Sequence, residues 1–148
     1  MNQDDARLLY FRMFTEIGII SQLSSNRLER VLPDGMSVAQ FSVLNHFVRL
    51  GGQWAPSRLA RAFQVTKGAM TNTLQRLEAQ GLVKIVADPA DARAKLVEIT
   101  AAGRKMRETC VRATSPIVSD VSASLQLDEV RAALPVLEKL RKVLDAAR

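Results

Sequence analysis

Between Thr66 and Ala79 the sequence sets polar side chains at spacings that can do recognition chemistry. Met70, Leu74 and Leu77 recur at i, i+4 and i+7, the buried stripe of a helix. That stripe turns Gly68, Asn72, Gln75 and Ala79 outward, with Thr71 and Arg76 on the flanks. The amides of Asn72 and Gln75 can pair both ways with an adenine edge, and Arg76 can take guanine or a phosphate; residue type does not choose between these two. Thr66 is a good N-cap, and with Lys67 it stands where unpaired N–H groups favour anions, so both read as phosphate anchors. The plainer alternative is a solvated polar face without a ligand.

The elements around this segment suit such a role. Pro56 fits a first helical position, and Leu59, Ala60 and Phe63 give that helix a buried side before a turn at Gln64-Val65. Gly81 stops the next helix. Leu82 to Ala87 and Ala94 to Ile99, short and rich in Val and Ile, flank the turn Asp88-Pro89-Ala90-Asp91-Ala92-Arg93 and predict a β-hairpin. Helix, turn, helix and hairpin in this order make a winged helix-turn-helix, whose second helix fits the major groove of DNA.

Further helices flank this module. From Asp5 to about Leu32 apolar residues cover more than one helical face, which requires enclosure by other helices. Pro33-Asp34-Gly35 ends that stretch, and Ser37 caps a short helix carrying Val38, Phe41, Leu44 and Phe47 up to Gly51-Gly52. Thr100 caps a long helix toward about Ser122, expected to bend at Pro116, and Leu127 to Ala147 is amphipathic and interrupted by Pro135. So much outer apolar surface predicts a twofold dimer, the alternative being that these helices fold back on their own chain.

Charge is uneven along the 148 residues, where 21 Lys and Arg face 15 Asp and Glu. Nine basic and four acidic residues lie between Gly51 and Lys105, while the flanks are near neutral. Basic charge gathered on one module is the footprint of a phosphate-binding surface. A single cysteine and a single histidine exclude an internal disulfide and a zinc set, and no acid–base pair or nucleotide loop suggests an enzyme. The acidic, polar start is unlike a signal peptide and no apolar run reaches membrane length, so a cytoplasmic protein is expected, with no cofactor and no membrane partner.

Over nearly its whole length the chain resembles the multiple-antibiotic-resistance regulator (MarR) family. The likeness rests on Ser57-Arg58-Leu59-Ala60, on the run from Val65 through Val83, and on Asp88 through Arg93 followed by Ile99-Thr100-Ala101-Ala102-Gly103. It implies one mainly α domain over residues 1–148 with a small two-stranded β-wing. The winged helix-turn-helix would span about 36–100 and the dimerisation helices about 5–32 and 101–147. It further implies a homodimer with interlocking first and last helices, often released from DNA by a small aromatic or acidic effector. Ala55 departs from the family's usual Ser or Thr helix cap, Gly68 replaces a commonly polar residue, and Pro135 lies in the last helix.

The resemblance also places Arg93 near the DNA backbone or in the minor groove, oriented by Asp91, and Lys95 can add a phosphate contact; the lesser alternative for Asp91 is a turn-stabilising side chain. Arg58 and Arg61 either approach phosphates or stay on the surface. Cys110, His46 and Trp54 read as packing residues, and no effector pocket is named. The expected function is sequence-specific binding of a pseudo-palindromic duplex by a homodimeric transcriptional repressor, with salt-sensitive affinity. A winged-helix module for an acidic protein partner and a redox regulator acting through Cys110 are the alternatives.

Overall fold

The computed structural model describes residues 2–148. The chain forms α1 (Gln3–Val31), α2 (Val38–Leu50), α3 (Pro56–Phe63), α4 (Lys67–Ala79), β1 (Val83–Asp88), β2 (Asp91–Ile99), α5 (Ala101–Ala113), α6 (Ser115–Ser122) and α7 (Leu127–Ala146). It divides into two compact units, one ending at Thr114 and one beginning at Ser115.

In the first unit, local chemistry sets most helix starts. Ser37 and Gln40 cap α2 reciprocally: Ser37 Oγ accepts the Gln40 N–H at 3.1 Å and Gln40 Oε1 accepts the Ser37 N–H at 2.7 Å. Thr66 Oγ1 accepts the Ala69 N–H at 3.1 Å and starts α4, and Thr100 Oγ1 accepts the Gly103 N–H at 3.0 Å and starts α5. Ala55 offers α3 no side-chain cap, so Pro56 with its preset φ marks that start. The turn between α3 and α4 bends through Gln64 in the left-handed region (φ 54°), and its amide donates to the Arg61 carbonyl at 2.7 Å.

The core lies among α2, α3, α4, the hairpin and α5. Leu44, Phe47, Leu59, Leu74, Leu77, Val97 and Cys110 are fully buried there. Each buried leucine contributes about 1.5–3 kcal/mol relative to exposure. Trp54 joins the sheet from the other side of β2 through two backbone hydrogen bonds with Val97, 2.8 and 3.0 Å. Sequence alternation did not indicate this one-residue bridge, since a single paired residue leaves no periodic pattern.

Three expectations change. The hairpin is longer than the sequence suggested: β2 begins at Asp91, leaving only Pro89-Ala90 between the strands. Register is regular from Val83↔Ile99 to Ala87↔Lys95 and then jumps to Asp88↔Asp91, so Ala92, Arg93 and Ala94 form a bulge. The helix after the wing does not run on to about Ser122; it ends at Ala113, and Thr114 separates α5 from α6. Pro116 then falls in the first turn of α6, where a missing N–H costs nothing. In the second unit α7 continues through Pro135 as one helix, so the loss of one ladder bond in 20 residues does not interrupt it.

Neither α1, in the first unit, nor α6 and α7, in the second, has a buried residue. On α1, Leu8, Leu9, Tyr10, Phe11, Ile20 and Leu23 are all more than half exposed in the single chain.

Candidate nucleic-acid interface

The predicted inward stripe of α4 is inward: Met70, Leu74 and Leu77 are buried. Thr66, Lys67, Gly68, Thr71, Asn72, Gln75 and Arg76 are all exposed. Across from this face stands the hairpin. Between them runs a groove of about 510 Å³ whose lining includes Thr71 and Gln75 from α4 and Arg93 and Lys95 from β2. A neighbouring hollow of about 340 Å³ adds Ser57 and Lys67 to Thr71 and Lys95. The fold therefore gathers Lys67, Thr71, Gln75, Arg93 and Lys95 around one concavity, while Thr66, Gly68, Asn72 and Arg76 lie outside it on exposed surface. A Cβ added at Gly68 would meet nothing within 4 Å, so that position leaves open space on the helix face.

Asp91 does something different from what the resemblance implied. Its Oδ1 accepts the backbone N–H of Arg93 at 3.0 Å, so the carboxylate holds the bulge rather than the guanidinium. Asp88 Oδ1 likewise accepts the Ala90 N–H at 2.9 Å. Both aspartates shape the turn, and the bulge presents Arg93 on exposed surface.

Two further hydrogen bonds fix the far end of α4. The Gln80 amide donates to the Gly35 carbonyl at 2.9 Å and Thr100 Oγ1 donates to the Gly81 carbonyl at 2.7 Å. Helix α4 is thus tied at its C-terminal end to the turn before α2 and to the start of α5. Sequence reasoning missed both ties, which join residues 45 and 19 positions apart.

Cys110 is fully buried, and burial raises its thiol pKa, so it carries little thiolate for redox chemistry. His46 is buried with Nε2 lacking a hydrogen-bond partner, its ring 4.5 Å from Trp54 and 5.2 Å from Phe63. Burial, then Arg49 and Arg58, lower its pKa from 6.5. The unfolded chain consequently takes up a proton near pH 6.5 while the folded one stays neutral, so this contribution to stability is present above that pH and is lost as pH falls toward the folded value. Urea denaturation across about pH 8 to 5 should show wild type losing stability faster than His46→Gln, by up to about 1.4 kcal/mol per pH unit. Parallel curves for the two proteins would contradict this. Among the described residues no three His, Cys, Asp or Glu side chains converge as a metal set, and no helix is long and apolar enough to cross a membrane.

A polar-faced helix following a tight turn, beside a basic two-stranded hairpin, defines a winged helix-turn-helix DNA-binding protein. A MarR family profile matches residues 34–94. The multiple antibiotic resistance protein MarR of Escherichia coli is 27% identical over 136 residues, covering 88% of this chain and 94% of that one. A cysteine-to-serine variant of that protein, solved in complex with operator DNA, superposes with a TM-score of 0.68 at 27% identity over 95% of this chain and 99% of that one. The transcriptional activatory protein BadR of Rhodopseudomonas palustris is 25% identical over 149 residues, covering 96% of this chain and 83% of that one. BpsR of Bordetella bronchiseptica, whose structure concerns regulation of DNA binding by 6-hydroxynicotinic acid, gives a TM-score of 0.63 at 25% identity over 85% of this chain and 98% of that one. Over residues 34–94 and in its fold, the chain is thus similar to the MarR family of transcriptional regulators.

Proposed function

We propose that the protein is a cytoplasmic, homodimeric repressor that reads a pseudo-palindromic duplex and releases it on binding a small aromatic or acidic effector. The observation that carries this reading is the exposed polar face of α4 set across a groove from Arg93 and Lys95. Asn72 and Gln75 contact base edges, Arg76 takes a base or a phosphate, Thr71 and Gly68 lie against the wall of the DNA major groove, and Thr66 and Lys67 anchor a phosphate. Arg93 and Lys95 grip the backbone from the wing, and Asp91 acts through the bulge it holds. The exposed apolar residues of α1 support the dimer, with α1 and the helices after the wing making its interface and the whole chain acting as one functional domain. Relatives carry both signs of regulation, since BadR is an activatory protein and one solved MarR is called a repressor, so a promoter–reporter assay decides repression.

Selection of bound duplexes from a random pool, at two salt concentrations and with or without aromatic acids, tests the reading. Enriched sites should have twofold character, and binding should weaken steeply with salt. Arg93→Ala should lower affinity about tenfold or more and flatten the salt dependence while leaving the oligomeric state intact. An Arg93→Ala protein that binds as well as wild type would count for a protein-interaction module instead.

A further inference from the structure

Arg58 lies in the first turn of α3, outside the polar face of α4 and outside the wing. Its Cζ sits 4.4 Å from the centroid of the Trp54 ring. That ring is held firmly: Trp54 shares two backbone hydrogen bonds with Val97, its indole N–H donates to the Gly51 carbonyl at 2.9 Å, and the His46 ring meets it nearly edge-on. Arg58 is exposed, and among the described residues no carboxylate pairs with it. A guanidinium stacked on a fixed indole keeps its five N–H donors free and has already lost much of its rotamer freedom, so binding an anion costs it little further ordering. Pro56 and Ser57, immediately before it, line the same hollow as Lys67 and Lys95. In a helix-turn-helix the first helix crosses the nucleic-acid backbone.

We propose that Arg58 is an additional DNA-phosphate contact and that Trp54 is its positioning residue, holding the guanidinium toward the backbone strand that passes the start of α3. The inference rests on the DNA-binding reading above. It extends the phosphate line from the wing and α4 onto α3, and it assigns Trp54 a task beyond packing. Lysine would not serve equally, because a compact ammonium lacks the planar stack that orients the donors.

The test measures affinity for a selected duplex and for a random duplex of equal length, each over a range of salt. Arg58→Ala should weaken both about equally, roughly tenfold at low salt, and reduce the slope of log affinity against log salt by about 0.9. Arg58→Lys should keep the slope and lose about twofold to threefold in affinity. Trp54→Leu should weaken binding in the wild-type background and add nothing to Arg58→Ala, whereas Trp54→Phe, which retains a ring, should bind nearly as wild type. Should Trp54→Leu fail to fold, the Ala and Lys variants of Arg58 still decide the phosphate contact, and Trp54→Met, which keeps apolar bulk without the ring and should bind more weakly than Trp54→Phe, decides the platform. An Arg58→Ala protein with unchanged affinity and slope overturns the proposal. So does a full Trp54→Leu loss that persists on top of Arg58→Ala. If Arg93→Ala is effective and Arg58→Ala silent, this contact alone fails; if both are silent, the DNA-binding reading fails with it.

Discussion

Gly103→Ala is expected to cost about 3 kcal/mol or more of stability, lowering Tm by about 10 °C. Gly103 is the third residue of α5 and is buried against Leu82, just before β1, and Ile99 at the end of β2. A Cβ there would run into the Leu82 carbonyl oxygen and stand 2.7 Å from Ile99 Cγ1. The carbonyl cannot move aside cheaply, since it accepts the Thr100 N–H at 3.2 Å and belongs to backbone rather than to a flexible side chain. Helix propensity pulls the other way, favouring alanine by only about 1 kcal/mol. Sterics therefore win. Gly68→Ala makes the matched control: its Cβ meets open space, so the same exchange should be neutral or stabilise α4 by up to about 1 kcal/mol. Thermal melts of the two variants should diverge in sign, and a Gly103→Ala protein as stable as wild type would contradict the close approach.

The second large effect concerns assembly. Phe11→Glu should shift the protein to monomer in sedimentation experiments and reduce affinity for a twofold site by about 100-fold. Phe11 is 68% exposed in the single chain, beside Leu8, Leu9 and Tyr10, each at least 56% exposed. So much exposed apolar surface on one helix needs a partner, and a carboxylate introduced into that contact would be buried at a high cost. Two reading heads joined in one dimer gain about 10² to 10⁴ in affinity from the intramolecular second contact, which the monomer forfeits. Because Phe11 contributes nothing to the core around α2 to α5, the winged module should retain its own fold. A Phe11→Glu protein that remains dimeric would direct attention to another face.

Much of the candidate site was legible in residue order. The stripe Met70, Leu74 and Leu77 orients α4 because helical geometry fixes which side chains share a face, and tertiary contact then buries those three. Caps at Ser37, Thr66 and Thr100 were equally readable, because each bonds a backbone N–H three residues on. The wing was legible as a hairpin but not in its register: β propensity identifies strands, whereas a bulge depends on how the partner strand pairs. Asp91 shows the same limit. Its carboxylate could serve Arg93's guanidinium or its N–H, and the local fold of the turn selects the N–H.

Short-range order in this chain thus determined the helix that carries the polar face, its start at Thr66, and the presence of a basic hairpin behind it, since all three follow from periodicity and capping within a few residues. Tertiary structure alone decided that Thr71 and Gln75 face Arg93 and Lys95 across one groove, that Gln80 and Thr100 fasten the end of α4, and that Trp54 carries Arg58. Apart from Trp54 and Arg58, which are four positions apart, those contacts join residues distant in sequence, and only the packing of the common core brings their backbones within reach.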